Sequence, residues 1–285
     1  MTRREEILSR VARVPSIPAA AAEAARMLGD PEADLNRIVR VLEHDPGLTS
    51  NVLRLANSAF YAGPRSIGTL REAAMRLGTQ KLTQVVMASA TAPIAWCEVK
   101  GYDLPPGELL SHSIAVAVCT QELAGELRVS VPPCAFTAGL LHDLGKLLLG
   151  TFVEVDAQPI RELAFAKGLP FVDAEREVLG IDHMEAGACL LAQWHLPETI
   201  CEAVRWHHEP ERVARDRETV DLVHLADDLS VLVGFGGGQD GLNYRASRET
   251  VERHQLTRER AQRVVCATLI RMRELQAAFA EVQGR

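Results

Sequence analysis

The adjacent residues His142 and Asp143 could bind a metal ion, because they lie in a very apolar stretch between Leu140-Leu141 and Leu147-Leu148-Leu149. We expect this stretch to be a buried helix. A buried charge without a partner is unfavourable by several kcal/mol, or its pKa shifts until the group is neutral. A divalent cation would remove that cost, since imidazole and carboxylate are both good ligands for transition metals. Neighbouring helix positions differ by about 100°, so the two side chains could approach one ion from different sides or hold two ions between them.

The other candidate ligands also lie on or beside apolar helical patterns. They are His112, His183, the adjacent pair His207-His208, and Asp227. A single histidine in such a place is more often a hydrogen-bonded core residue than a metal ligand. Two adjacent pairs, two further histidines and a late aspartate together favour a metal cluster, with a set of hydrogen-bonded core residues as the alternative.

Other kinds of site find less support in the sequence. The segment 139–146 is similar to a phosphate-binding loop, but its glycines are one residue too far apart and Leu147 has no hydroxyl for magnesium. The glycine-rich segment 234–238 lacks the lysine and hydroxyl residue of such a loop, and we interpret it as a flexible surface loop. The six cysteines form no CxxC pair, so we expect buried free thiols in a reducing cytoplasm.

Nearly every long stretch of the chain has the periodicity of an amphipathic helix. In the first part, Asp45-Pro46 is a helix start signal, and Thr69 with Glu72 forms a capping box whose helix we expect to stop at Gly78. In the second part, the pattern predicts helices over 109–127, 136–152, 182–194, 197–208 and 220–232, and from 257 onward. No segment of alternating β-branched residues is long enough for a strand. We therefore predict an all-α fold.

Clustered proline and glycine residues divide the chain into two helical parts. Pro93 and the segment 100–107 form the best internal boundary. We predict an N-terminal helical bundle over 1–98, packed with a second helical subdomain over 108–285. The second subdomain would hold the candidate metal cluster and a long C-terminal helix.

The composition is that of an ordinary globular protein, with 47% hydrophobic and 24% charged residues among 285. Lys and Arg number 31 against 38 Asp and Glu, which gives a formal net charge of −7. A protein that holds nucleic acid by neutralising phosphates is basic, so this charge argues against a general DNA or RNA binder. The N-terminus has no apolar segment typical of a secretory signal, and no run approaches the ~18 apolar residues of a membrane span. We expect a cytoplasmic protein that does not bind a membrane.

The order His … His-Asp … His … His-His … Asp resembles the HD superfamily of metal-dependent phosphohydrolases. The whole chain resembles more closely the HDOD family, the HD-related output domain of bacterial signalling. The resemblance covers roughly residues 10–250 and is carried by short motifs in both halves. In the first half the motifs are Val14-Pro15-Ser16-Ile17-Pro18, His44–Thr49, Leu53–Ser58 and Leu70–Gly78. In the second half they are Leu110–Ser113, Ala138–Lys146, His183–Gly187, Trp194–Pro197 and His207–Pro210.

The resemblance implies an HD-phosphohydrolase-like second subdomain with one or two divalent transition-metal ions, and it leaves Fe, Mn, Zn and Ni open. By similarity, one ion would be held by His112, His142, Asp143 and Asp227, and a second by His183, His207 and His208, with Asp143 bridging. The spacing from His208 to the last aspartate is shorter than in related cyclic-dinucleotide phosphodiesterases. Asp228 or Asp221 could therefore replace Asp227.

If the site is catalytic, the metal would act as a Lewis acid that activates water for attack on phosphorus. Asp143 and Lys146 would be the catalytic residues, and Lys146, one turn after His142, could steady phosphate oxygens. A structural or solvated lysine is the alternative. The Gly-Tyr-Pro motif of the related phosphodiesterases is absent after Glu209, so we do not expect cyclic di-guanylate as a substrate.

Three functions are compatible with the resemblance. We favour a bacterial signalling module that acts through protein partners or ligand binding, because no substrate-recognition motif appears outside the metal set. The second is a metal-dependent phosphohydrolase acting on a phosphodiester or phosphomonoester such as a nucleotide. The third is a site that binds a nucleotide or phosphate ligand without turning it over. The sequence does not indicate the oligomeric state.

Overall fold

The computed structural model describes residues 2–282, apart from 12, 15, 28–33, 62, 64, 131, 214, 216, 237 and 239–245. The described residues form α-helices and two 3₁₀ turns with no strand, which confirms the predicted all-α fold. The helices are α1 (Arg3–Val11), α2 (Ala19–Arg26), α3 (Leu35–Leu42), α4 (Pro46–Ala56), α5 (Leu70–Ala95), α6 (Glu108–Leu127), α7 (Ala135–Leu141), α8 (Gly145–Lys167), α9 (Phe171–Leu179), α10 (His183–Gln193), α11 (Glu198–Trp206), α12 (Arg217–Leu232), α13 (Arg248–Arg253) and α14 (Arg258–Val282). The 3₁₀ turns are Lys100–Tyr102 and Pro210–Arg212.

Several helices begin where local sequence signals predict. Asp45 accepts a hydrogen bond from the Leu48 amide at 2.9 Å and caps α4, whose first residue is a proline. Thr69 accepts from the Glu72 amide at 3.1 Å and caps α5. These caps satisfy amide groups that have no partner within the first turn of a helix.

Helix α5 is interrupted once and continues further than the sequence predicts. Gly78, with φ 70° and ψ 176°, breaks the helical geometry at the position where we expected the helix to stop. The chain then resumes helical geometry and passes through Pro93 to Ala95, so Pro93 is not a boundary. Pro93 lies in the last turn of α5, where the Ser89 carbonyl lacks the amide donor that another residue would supply.

The core is continuous and includes both halves of the chain, from Ile7 to Leu275. Helices α2, α3 and α4 pack on α5, and α6 packs against α7, α12 and α14. Two terminal helices also contact distant elements. Helix α1 lies on α8 and α10, and α14 lies on α4 as well as α6. Within the described part of the chain, no helix is long and apolar enough to cross a membrane.

The predicted helix over 136–152 is wrong in one respect, because it is two helices separated by a turn at residues 142–144. In a continuous helix the Gly139 carbonyl would accept from the Asp143 amide. Here it accepts from the Nδ1 hydrogen of His142 at 2.7 Å. The following backbone hydrogen bonds close over three residues, from the Leu144 amide to Leu141 and from the Lys146 amide to Asp143. The histidine side chain thus takes the acceptor that would extend the helix.

Candidate metal centre

The structure brings the seven predicted ligands together in the interior. His112 lies within α6 and Asp227 within α12, while His142 and Asp143 form the turn between α7 and α8. His183 is the first residue of α10, and His207 and His208 directly follow α11. Six of the seven are at most 2% exposed, and the His208 side chain is 11% exposed.

Three of these side chains form a first group around the Nε2 atom of His112. That atom lies 3.1 Å from Nε2 of His142 and 3.2 Å from Oδ1 of Asp227. The Nε2 atom of His142 is 3.7 Å from the same Asp227 oxygen. One ligand atom from each of the three residues lies within 4.8 Å of the other two, which is close enough for one cation to contact all three.

A second group consists of His183, His207 and His208. Their ligand atoms also lie within 4.8 Å of one another. The His207 and His208 rings have centroids 4.1 Å apart, and the His183 and His208 centroids are 5.2 Å apart. The Nδ1 atom of His208 lies 3.7 Å from Oδ2 of Asp227, so the two groups are adjacent.

Asp143 lies between the two groups and points one oxygen at each. Its Oδ2 is 3.3 Å from Nε2 of both His112 and His142. Its Oδ1 is 3.6 Å from Nε2 of His183 and 3.7 Å from Nε2 of His207. This is the arrangement that a carboxylate bridging two cations requires.

Four of the histidines are oriented by a hydrogen bond from Nδ1 to an acceptor outside the cluster. The acceptors are the carbonyl oxygens of Phe235 for His112 (2.9 Å), Gly139 for His142 (2.7 Å) and Val204 for His207 (2.8 Å), and the Glu175 carboxylate for His183 (2.9 Å). Carbonyl and carboxylate oxygens only accept, so Nδ1 carries the hydrogen and the Nε2 lone pair faces inward. Histidines that bind metals are commonly fixed in this way.

Several of the atoms that face the interior of the cluster have no hydrogen-bond partner in the described part of the chain. Among the described residues, Oδ1 of Asp143 and Nε2 of His183 and His207 are buried without a hydrogen-bond partner. The Nε2 atoms of His112 and His142 lie 3.1 Å apart in the first group, so a proton or a cation must lie between their electron pairs. Buried acceptors that converge without donors are unfavourable unless a cation or a proton lies among them. Histidine nitrogen and carboxylate oxygen are also the donors that divalent transition metals prefer, so these residues fit such an ion.

The pKa values show how protons distribute themselves when no cation is present. Burial alone would lower the pKa of His112, but hydrogen bonds and charges from Asp143 and Asp227 raise it to about 10. Burial likewise opposes protonation of His183, yet the Glu175 carboxylate raises its pKa to about 9. Burial, together with the neighbouring imidazoles, holds the pKa of His207 and of His208 well below the usual value.

Lys146 is buried beside the cluster and forms an ion pair between its Nζ and Oδ2 of Asp143. The Nζ also lies 5.8 Å from the centroid of the Tyr102 ring. The lysine is therefore not a solvated surface residue. Burial by itself would raise the pKa of Asp143. The charges of His142 and Lys146 outweigh this effect and lower the pKa well below its usual value.

The other two aspartates that could replace Asp227 lie outside the donor groups of the described chain. Asp221 is buried, but its Oδ2 accepts from Nε2 of His254 at 2.9 Å and from Arg253 at 2.5 Å. Asp228 is half-buried, and burial and the charge of Asp227 raise its pKa.

Glu175 is a site residue that sequence reasoning missed. It is fully buried on α9 and accepts from the backbone amide and the Nδ1 of His183, both at 2.9 Å, and from the Tyr102 hydroxyl at 2.5 Å. A signal for it exists in the sequence. Phe171, Glu175 and Leu179 are four residues apart, so the glutamate lies on the apolar face of its helix.

Two glycines allow α8 and α10 to meet beside the cluster. A Cβ atom at Gly145 would overlap the carbonyl oxygen of His183 and lie 2.7 Å from the Gly187 amide nitrogen. Because Gly145 has no side chain, the turn that carries His142 and Asp143 lies directly against the first turn of α10. The close approach of these backbones places His183 next to Asp143.

The family model for the HDOD domain matches residues 14–210 of the chain. Among solved structures, an HDOD domain protein of unknown function from Geobacter sulfurreducens is 25% identical, with a TM-score of 0.69 over 98% of this chain and 97% of that one. A candidate phosphohydrolase from Shewanella amazonensis SB2B is 27% identical, with a TM-score of 0.62 over 92% and 97%. A candidate signal transduction protein from Marinobacter aquaeolei VT8 is similar in fold, at 20% identity and a TM-score of 0.74 over 99% and 65%.

A curated relative, an uncharacterized protein of Treponema pallidum (strain Nichols), is 23% identical over 205 residues. The matched region is 71% of this chain and 39% of that protein, so the chain spans about two fifths of the length of its relative.

Proposed function

The chain belongs to the HDOD domain family, and from this premise we propose that it is a signal-transduction module built around a buried divalent-metal centre. His112, His142 and Asp227 would hold one ion, and His183, His207 and His208 a second. Asp143 would bridge them. The two predicted parts, 1–98 and 108–285, would be the helical bundle and the metal-holding subdomain of this module.

The observation that carries the proposal is the position of Asp143 between two groups of inward-facing imidazoles. A carboxylate that points one oxygen at each group, with Nε2 atoms 3.3 to 3.7 Å away, is suited to hold two cations at once. Three carboxylates that contact the candidate histidines, those of Asp143, Asp227 and Glu175, are buried in this part of the core, and Lys146 is the one buried lysine of the described residues. The excess negative charge also favours a bound cation.

The burial of the donors favours signalling over catalysis. A bound divalent metal can supply a Lewis acid, but the protein must also let a substrate reach it. His142, His183 and His207 are 0% exposed, so they present no surface to a phosphate ester. Glu209, after which the related phosphodiesterases have their additional motif, pairs with Arg176 at 2.5 Å and with Arg212 at 2.9 Å.

The experiment that tests the proposal is elemental analysis of metal per chain in the purified protein and two variants. Removing the bridging carboxylate takes away the negative charge between two cations, which then repel each other. We expect Asp143→Ala to lower the content of both ions, whereas His112→Ala lowers mainly one. Asp228→Ala is the matched control, because it removes a half-buried carboxylate beside the cluster, and it should keep wild-type content.

Two results would contradict the proposal. The first is a wild-type protein that binds no divalent metal after growth and purification with Fe, Mn, Zn or Ni supplied in turn. The second is an Asp143→Ala variant that keeps full metal content. In either case the two-ion interpretation would be wrong, and His142 and Asp143 would be a hydrogen-bonded core pair in a non-catalytic signalling domain.

A metal-dependent phosphohydrolase is the second candidate, and the ammonium group of Lys146 beside Asp143 favours it. A positive charge at that place could neutralise phosphate oxygens. The test is release of p-nitrophenol from p-nitrophenyl phosphate and its bis ester by the metal-loaded protein. Under our first proposal the wild type is no faster than Asp143→Ala, and cyclic di-guanylate is not converted. Metal-dependent turnover lost in both Asp143→Ala and Lys146→Met would favour the enzyme instead.

A further inference from the structure

An apolar cavity of about 490 Å³ is lined in part by the first turns of α8, and none of the candidate metal ligands lines it. Its apolar lining comes from four separate parts of the chain: Val14, Ile94, Val99, Leu147, Leu148 and Leu190. The volume falls within the roughly 300–1,000 Å³ of cavities that bind small molecules in proteins. We propose that this cavity binds an uncharged, predominantly apolar small molecule.

The polar residues of the cavity indicate that its ligand has no net charge. Its two charged lining residues, Glu98 and Lys100, are opposite in sign, and both are exposed to solvent. The buried part of the lining, which includes Leu148 and Leu190, is aliphatic. A charged group placed in that part would lose its hydration without gaining a partner.

The backbone of the cavity wall offers few hydrogen bonds to a ligand. The Val99 amide donates to the Leu104 carbonyl at 2.9 Å, and the Val99 carbonyl accepts from both Leu104 and Tyr102. The carbonyl of Trp96, which precedes the lining residue Cys97, accepts from Gly107 at 2.9 Å. Because these groups already have partners, affinity would come from burial of apolar surface.

The wall is also held open by packing. Val99 lies directly on Gly150 of α8, since a Cβ atom at that glycine would be only 2.6 Å from the Val99 side chain. The segment that follows is fixed by Tyr102, a fully buried side chain whose hydroxyl donates to Glu175. A wall fixed at both ends keeps its shape in the absence of a ligand, which lowers the entropic cost of binding.

The probe for the test is N-phenyl-1-naphthylamine, an uncharged dye that fluoresces in apolar surroundings, titrated into the purified full chain. Its sulfonated analogue 1-anilinonaphthalene-8-sulfonate is the matched charged probe. We expect saturable binding of the uncharged dye to one site per chain and at least tenfold weaker binding of the sulfonate. Ile94→Trp, which fills the cavity from α5, should weaken binding of the uncharged dye at least tenfold. Leu77→Trp, at a half-buried position of the same helix outside the cavity, should stay within twofold of wild type.

A second measurement uses the wild-type protein and does not depend on whether the tryptophan variant folds. Cys97 lines the cavity and is exposed, and Cys266 on α14 is exposed outside it. The saturating dye should slow alkylation of Cys97 by iodoacetamide severalfold and leave Cys266 unchanged, as followed by mass spectrometry. Any of four results would overturn the proposal. Two concern the dyes: non-saturable binding, or equal affinity for both. The other two are wild-type affinity in a folded Ile94→Trp variant and equal labelling of Cys97 with and without dye. Loss of dye binding as the protein dimerises would assign the cavity to a second copy and overturn it as well.

Discussion

At the residue scale, the candidate metal ligands also bind protons, so we expect metal binding to depend on pH. The carboxylates of Asp143 and Asp227 raise the pKa of His112 to about 10 despite its burial, and Glu175 raises that of His183 to about 9. Below pH 9 the ion-free cluster therefore holds a proton on each of these two imidazoles. Two protons balance the excess of three carboxylates over one lysine, and bound divalent cations would replace these protons.

We predict that metal binding at pH 7.5 releases about two protons per chain, because a ligand nitrogen must be deprotonated. Metal affinity should then rise with pH and level off once pH passes the raised pKa values. Titration calorimetry in buffers of different ionisation enthalpy gives the number of protons released. His112→Ala should release about one proton fewer, and a binding heat that is the same in every buffer would contradict the assignment.

Glu175 should matter to the second ion although it cannot reach it. It accepts the Nδ1 hydrogen of His183 and so fixes the ring with Nε2 inward. We predict that Glu175→Gln weakens one class of bound metal by about 10–100-fold and leaves the other class close to wild type. Equilibrium dialysis against a metal buffer measures both classes.

The matched control for this variant is Glu177→Gln, two residues further along α9. Glu177 is exposed and pairs with Lys167 at 2.6 Å. It should leave both classes of metal unchanged. Equal metal affinities in the two variants would mean that Glu175 has no part in orienting His183.

At the scale of elements, Gly78 and Gly125 are expected to respond to alanine in opposite directions. Gly78 has φ 70° and ψ 176°, a region that is essentially restricted to glycine, so Gly78→Ala should destabilise the protein by about 1–3 kcal/mol. Gly125 lies exposed within α6 with open space around it, so Gly125→Ala should stabilise by about 0.5–1 kcal/mol. Urea denaturation followed by circular dichroism measures both. A stabilising Gly78→Ala would show that the break in α5 is not imposed by the fold.

The sequence predicts those elements and residues whose signals are local. Histidines and aspartates in apolar stretches are conspicuous, so all seven candidate ligands could be named, although their role as ligands remains a prediction. The turn after Leu141 could not be foreseen, because it depends on whether the His142 side chain or a backbone amide reaches the Gly139 carbonyl. The position of α1 on α8 and α10 depends on contacts between residues far apart in the chain, which periodicity does not encode.

At the scale of the whole molecule, the fold should not depend on the metal. The core extends from Ile7 to Leu275, and a large part of it lies on helices α1 to α5, which carry no candidate ligand. Proteins that need a metal to fold generally lack such a core. We predict that chelation with EDTA leaves the helical circular dichroism at 25 °C unchanged and lowers the midpoint of thermal unfolding.

The reason for the lower midpoint is that a ligand bound only by the native state stabilises that state by mass action. The control is Asp143→Ala, whose midpoint should not respond to EDTA because it has no metal to lose. A collapse of the helical signal on chelation would make the metal a requirement for folding.

The contact between Gly145 and the first turn of α10 has a consequence for how the sequence can vary. Any substitution of a glycine adds a Cβ atom. At position 145 that atom would overlap the backbone of His183. No neighbouring side chain can shift to relieve the overlap, since the atoms in the way belong to the main chain. In a library of all single substitutions, residue 145 should therefore be as intolerant as the histidines it adjoins. A survey of mutational tolerance would mark it as part of the functional site, although it offers no atom to a metal.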